Sequence, residues 1–160
     1  MVLKTVSPKD KYKDDDIYQS IVDYVTQESK CKSGYVIARN LHRDTMAQEM
    51  FDLDESYGKL KGTRIRHSII TFEDRDEATP EIATYIAGKV CDYYADDYQM
   101  LATVHEDTDN LHIHMVMHTT NIHTGKKYTG RKKDYYQFQE HLKRIGRQNN
   151  IKYRGTRSDR

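Results

Sequence analysis

The stretch that most narrows what this chain can become is His112–His118, HIHMVMH. A strand sends alternate side chains to opposite faces. On that geometry His112, His114 and His118 share one face, and Ile113, Met115 and Met117 share the other, which suits a buried core. His105 lies seven residues before His112, with the turn-prone Asp107-Thr108-Asp109-Asn110 between them. A hairpin there sets His105 beside the pair, so that three imidazoles converge on one point. Imidazole nitrogens bind borderline divalent metals, and three of them leave positions open for a substrate. An isolated histidine–hydrophobe–histidine pair also occurs as a plain solvated strand face. The third histidine behind an acidic turn favours the metal.

The rest of the chain supplies partners for such a strand. Met1–Val6, Gly34–Arg39, Arg64–Phe72 and Tyr98–His105 read as strands, and Leu111–Thr120 is the strand of the histidine pair. In Arg64–Phe72, Ile65, His67 and Ile69 face one way, and Arg66, Ser68 and Ile70 the other. Ser7–Asp16 is polar and reads as a loop, after which Asp15 or Asp16 caps a helix running to about Glu28. Ile17, Ile21, Tyr24 and Val25 fall at helical spacing there. Tyr24 has two readings, a core residue with its hydroxyl at the surface or a nucleophile presented at a helix end. A second helix, Thr45–Tyr57, carries Met46, Met50, Phe51 and Leu53. A third opens at Thr79-Pro80-Glu81, with Ile82, Tyr85, Ile86, Lys89, Val90 and Tyr93 on one side. The last, Tyr135–Gln148, has Phe138, Leu142 and Ile145 as its apolar stripe. The order β–α–β–α–β–α–β–β–α predicts an α/β (α+β) two-layer sandwich. Its mostly antiparallel central sheet has about five strands, with helices packed mainly on one side and the other face left for the histidines and a ligand. A chain of 160 residues fits one domain and can bury a core.

Charge adds a partner class. The net charge of +1 conceals an asymmetry: from Lys126 onward twelve Lys/Arg face three acids, whereas the first 125 residues carry fourteen bases and twenty-two acids. A basic end on an acidic body predicts contact with a polyanion; a solvated C-terminal helix is the other reading of charge alone. The run Lys126, Lys127, Arg131, Lys132 and Lys133, with Tyr128 and Tyr135 interleaved, has the residues to clasp a nucleic-acid backbone and stack on bases. Cys31 and Cys91 make neither a metal-ligand spacing nor a disulfide framework, which predicts a reducing cytoplasm. No apolar run is long enough to span a bilayer, and no signal-peptide pattern opens the chain.

With these pieces placed, the chain resembles the catalytic domain of conjugative relaxases, particularly the P-type plasmid mobilisation family of histidine–hydrophobe–histidine endonucleases. His105-Glu106-Asp107-Thr108-Asp109-Asn110-Leu111-His112-Ile113-His114 is similar to the family's third motif. Ile21-Val22-Asp23-Tyr24-Val25-Thr26 resembles the first, and His67-Ser68-Ile69-Ile70-Thr71-Phe72 the second, with Thr71 where a serine is usual. His118 stands where the family commonly has asparagine.

The resemblance implies that residues 1–160 form one relaxase nuclease domain, the catalytic piece of a longer protein or a very small member. It implies a bacterial cytoplasmic monomer acting on single-stranded or supercoiled transfer-origin DNA, with accessory relaxosome proteins and a coupling protein. One strand is cut by transesterification, leaving a 5′-phosphotyrosyl bond and a free 3′ hydroxyl, and is later rejoined. Tyr24 is the expected nucleophile, with Tyr18 next, and Tyr93 and Tyr94 as packing residues. A divalent ion (Mg or Mn, with Zn as an option) is expected on His105, His112 and His114. Asp107, Asp109 and His118 are expected to orient a ligand histidine or accept a proton, and Glu106 to be a solvated turn residue. Arg64, Arg66 and Thr71 are expected on DNA, with the basic run. Two readings stand beside this one. A rolling-circle replication initiator or transposase of the same superfamily would use Tyr135 or Tyr136. A non-enzymatic nucleic-acid-binding domain would hold a structural metal, with His118 as a fourth ligand.

Overall fold

The computed structural model describes residues 1–6, 16–27, 32–106 and 110–157. The cap expected at Asp15, most of the loop before it, Glu28, Cys31 and the acidic turn residues Asp107, Thr108 and Asp109 lie outside the described residues. The strands are β1 Val2–Val6, β2 Val36–Arg39, β3 Ile65–Thr71, β4 Met100–His105, β5 His112–His118 and β6 Thr156–Arg157. The helices are α1 Ile17–Val25, α2 Met46–Tyr57, α3 Pro80–Tyr94 and α4 Lys132–Gln148. One sheet holds the strands in the order β2-β4-β5-β3-β1-β6. Every pairing is antiparallel except β1 with β6. The expected mixed α/β architecture with a mostly antiparallel sheet is therefore present. The sixth strand is β6, two residues long, too short to show any periodicity. The last helix starts at Lys132 rather than Tyr135, because its first turn, Lys132-Lys133-Asp134, carries no apolar residue to mark it.

Alternation along the central strands builds two cores. On one face Ile70, Met100, Ala102, Val104, Ile113, Met115 and Met117 pack against Ala83, Ile86, Ala87 and Val90 of α3 and Phe138, Leu142 and Ile145 of α4. Each large side chain of that set is worth about 1.5–3 kcal/mol when fully buried. On the opposite face Ile17, Ile21, Val22 and Val25 of α1 and Met46, Ala47 and Met50 of α2 pack on Ile65, Leu101 and Val116. Among the described residues helices thus lie on both faces, two to each. The histidine face was expected to be left open. Instead α1 and α2 cover its Ile65–Val116 end, and the C-terminus of α1 reaches over the histidines. The buried face of α3 also differs from the expected stripe: Ala83, Ala87 and Cys91 join Ile86 and Val90 there, while Tyr85 stays 54% exposed. Periodicity weights large side chains, but a helix lies close on a sheet through its small ones.

At the end of α4 the chain folds back on itself. The Ile151 amide donates to the Gly146 carbonyl at 2.8 Å. A Cβ on Gly146 would overlap the Ile151 carbonyl oxygen and crowd Met1 Cε at 3.1 Å. Gly146→Ala is therefore expected to destabilise the domain by about 1–3 kcal/mol, against alanine's better helix propensity. Urea unfolding monitored by circular dichroism checks this, and a stabilised variant would show that the fold-back yields without strain.

Candidate active site

The β4–β5 register pairs His105 with His112 and Thr103 with His114. The expected hairpin pairing is present, and three rings converge on the face shared by His112 and His114. Ring centroids lie 5.2 Å apart for His105 and His112, 4.3 Å for His105 and His114, and 5.0 Å for His112 and His114. One nitrogen of each ring lies within 4.8 Å of the other two. His105 and His114 are buried, and His112 is partly exposed on the open side.

Each ring is oriented by a bond from its second nitrogen. His105 Nε2 lies 2.7 Å from the Val25 carbonyl oxygen, and His112 Nδ1 lies 2.9 Å from that of Asn110. A carbonyl only accepts, so these nitrogens carry the protons, and in the neutral rings the lone pairs fall on His105 Nδ1 and His112 Nε2. His114 Nδ1 lies 2.7 Å from Nε2 of the buried His67. When His114 donates in that bond, its own Nε2 keeps a lone pair. This is the tautomer arrangement found behind metal-ligating histidines. Three neutral nitrogens fit a divalent ion and leave positions for substrate.

The bond from His105 to Val25 also fixes the end of α1, and Tyr24 stands beside it. The Tyr24 ring is edge-on to His114 at 5.6 Å and to His67 at 6.1 Å, with 39% of the residue exposed. Tyr24 and the histidine cluster therefore meet. Tyr18, the other tyrosine of α1, does not reach them. It is 3% exposed and its hydroxyl donates to Asp54. Burial first, then the Asp54 carboxylate, push its phenol well above the ordinary range.

Asp54 is the hub of a second polar cluster, at the covered end of the same face. Its carboxylate also accepts from the Thr120 hydroxyl, from His118 Nε2 at 2.8 Å and from Lys127 Nζ at 3.5 Å. Burial alone would push the Asp54 carboxyl up. The hydrogen bond and charge of His118, with the hydroxyls of Thr120 and Tyr18, outweigh it and hold the group down at about 2. The other His118 nitrogen lies 2.8 Å from Gln99 Oε1. His118 is thus neither beside the histidine cluster nor a fourth ligand to it. Alternation put it on the right face, but four residues along a strand is about 13 Å. Asp107 and Asp109 lie outside the described residues. Glu106 pairs with Lys32 at 3.4 Å.

The residues expected on DNA are spread around the domain. Thr71 faces His112 across the β3–β5 pairing. It also lines a cleft of about 740 Å³ of mixed charge, with Lys4, Arg75 and Arg157 beside Glu73, Asp74 and Asn110. The Arg64 guanidinium lies 5.8 Å from the Tyr18 ring, and that of Arg66 lies 4.8 Å from Tyr128. Lys126, Arg131, Lys132 and Lys133 are exposed. Lys127 turns inward to Asp54 instead, and desolvation lowers its pKa despite that partner. Tyr93 and Tyr94 pack on Phe138, as expected of structural rings. Tyr135 and Tyr136 lie on α4, which packs on the opposite face of the sheet from the histidines. Two residues of this site were missed in the sequence. Asp54 continues the Met46–Met50 spacing by one more turn, so an acid stood in the apolar stripe. His67 shares its strand face with Ile65, a buried position by alternation.

Residues 24–151 match the family model described as relaxase, MobA/VirD2-like, nuclease domain. The chain is similar to a Protein rlx of Staphylococcus aureus, 33% identical over 79 residues, covering 49% of this chain and 24% of that protein. A second Protein rlx of that organism is 28% identical over 112 residues, covering 70% and 34%. Protein TraI of Escherichia coli is 25% identical over 123 residues, covering 73% and 16%. The chain thus spans between 16% and 34% of the length of these relatives. No solved structure matches it. Among the described residues no helix is long and apolar enough to cross a membrane.

Proposed function

The chain belongs to the relaxases with a MobA/VirD2-like nuclease domain, and we propose that it nicks one strand of transfer-origin DNA by transesterification and rejoins it. The observation that carries this reading is Tyr24, 5.6 Å from His114 on a helix end bonded to His105. The Tyr24 oxygen attacks the scissile phosphorus, the bond to the 3′ oxygen breaks, and that oxygen leaves with the electron pair and takes up a proton. The phenol must lose its proton to react, and Asp107 and Asp109 are the proposed acceptors. A divalent ion, Mg or Mn with Zn as an option, held by His105, His112 and His114 would supply Lewis-acid neutralisation of the phosphate oxygens. The Val25–His105 bond holds the phenol in line, where a misplacement of 1 Å is costly. Because the phosphotyrosyl bond retains the energy of the broken linkage, rejoining needs no nucleotide. Arg66, Arg131, Lys132, Lys133 and Lys126 are proposed to hold the DNA, and residues 1–160 to work as one nuclease domain. Accessory relaxosome proteins, a coupling protein and the bacterial cytoplasm complete the proposed setting.

The test is to mix the protein with single strands of its element's transfer origin and Mg or Mn. A detergent-stable protein–DNA adduct is expected, and none should form when a chelator is present from the start. The double variant His112→Ala/His114→Ala should lose this adduct and bind the ion about 100-fold or more weakly by calorimetry, with an unchanged circular dichroism spectrum. Undiminished adduct in that variant rejects the metal site.

A further inference from the structure

We propose that a cavity on the sheet face opposite the histidines is a subsite for one nucleobase of the bound single strand, an inference that rests on the DNA-binding part of the reading above. The cavity measures about 270 Å³, and Leu3, Met115, Met117, Tyr94, Tyr128 and Tyr135 form much of its wall. Pockets for drug-sized ligands run from about 300 Å³ upward, so this one takes a single ring system. Among the described residues no acidic one lines it.

Its aromatic wall is braced. Tyr128 stands edge-on to Tyr94 at 6.0 Å and to Tyr98 at 5.6 Å, and the Arg66 guanidinium lies 4.8 Å from its ring centroid. A ring held from two sides is a low-entropy stacking partner, and every base offers a π face to it.

Charge selects the occupant. Tyr128 and Tyr135 bracket the exposed cations Arg131, Lys132 and Lys133 in sequence. Gly130, between them, packs so closely on Arg66 that a Cβ there would lie 2.6 Å from both terminal guanidinium nitrogens. A neutral aromatic metabolite has no use for Arg66 in the wall and three exposed cations on the segment that joins Tyr128 to Tyr135, whereas a nucleotide carries phosphates on either side of its base. Strand β3 joins this cavity to the candidate active site. Arg66, His67 and Ser68 all line the cavity, and the His67 ring bonds His114 on the other face. The occupant is therefore a base away from the cut, held to select and anchor the strand.

The test is an abasic walk. Affinities of the full chain are measured without metal, by fluorescence anisotropy, for oligonucleotides lacking one base at each position in turn. Wild type should lose about tenfold at one position. Tyr135→Ala should bind the intact strand about tenfold more weakly and lose nothing further at that position, while Tyr135→Phe, which keeps the ring, should behave as wild type. Circular dichroism confirms folding of both variants. Equal losses in wild type and Tyr135→Ala at every position overturn the subsite, and so does binding of an aromatic peptide in preference to the oligonucleotides. Adduct formation by wild type with metal is read separately. Coupling without adduct would fault the nicking reading alone, and adduct without coupling would fault the subsite alone.

Discussion

Tyr24→Phe is expected to abolish covalent attachment to DNA, a fall on the order of 10⁴-fold or more in adduct yield, with DNA and metal affinity nearly unchanged. The substitution removes one oxygen. The ring keeps its edge contacts with His67 and His114, and the Val25 carbonyl, one residue on, still accepts from His105. Fold and cluster should therefore persist while the attacking atom is gone. Denaturing gels with a labelled oligonucleotide read the adduct, and a peptide map of trapped wild-type protein should place the label on the peptide holding Tyr24. Label on Tyr135 or Tyr136 would favour a replication initiator instead. Label on Tyr18 would require that buried phenol to leave Asp54.

Asp54→Ala carries the largest expected cost in stability, about 3–5 kcal/mol. The carboxylate is fully buried, and it faces His118, Lys127 and the hydroxyls of Tyr18 and Thr120. Removing it strands two basic groups and two hydroxyls at the interface between α1, α2 and the sheet. Asp54→Asn keeps the volume and part of the bonding, and should cost less. The pH dependence has a definite sign. The folded-state pKa, about 2, lies below the ordinary value of 3.8. Its contribution is therefore complete above pH 4 and is lost as pH falls from there through 2. Urea unfolding of wild type should weaken across that window, and Asp54→Asn should weaken less. A variant as stable as wild type at neutral pH would show that the network adds nothing.

How far the sequence spoke depended on the period of each element. A period of two settled which β5 residues face the core, and the short spacing from His105 to His112 settled that they pair. It could not measure distance along the strand, so His118 was grouped with histidines from which it is separated by most of the strand. Nor could it show partners across the fold: the carboxylate that takes His118 comes from α2, and the imidazole behind His114 comes from β3. In α3 the small residues that touch the sheet are silent in an apolar count. Tyr24 was legible as a position on a helix, but its meeting with His114 depends on α1 crossing the sheet, which no local pattern encodes.

The bond between the Val25 carbonyl and His105 has a mechanical side. A cut strand joined to Tyr24 would pull on α1 at its last turn, not along its whole length. Load applied at a helix end peels, breaking contacts one at a time, and the first in line is the bond that orients His105. A strand under tension would then slacken the histidine cluster while Asp54 and the apolar contacts of Ile17 and Ile21 still hold the other end of the helix. The joined protein would be reversibly disarmed by pulling and rearmed on release. Single-molecule tethering of the adduct would show this as rejoining that slows with force well below the unfolding force; rejoining independent of force would refute it.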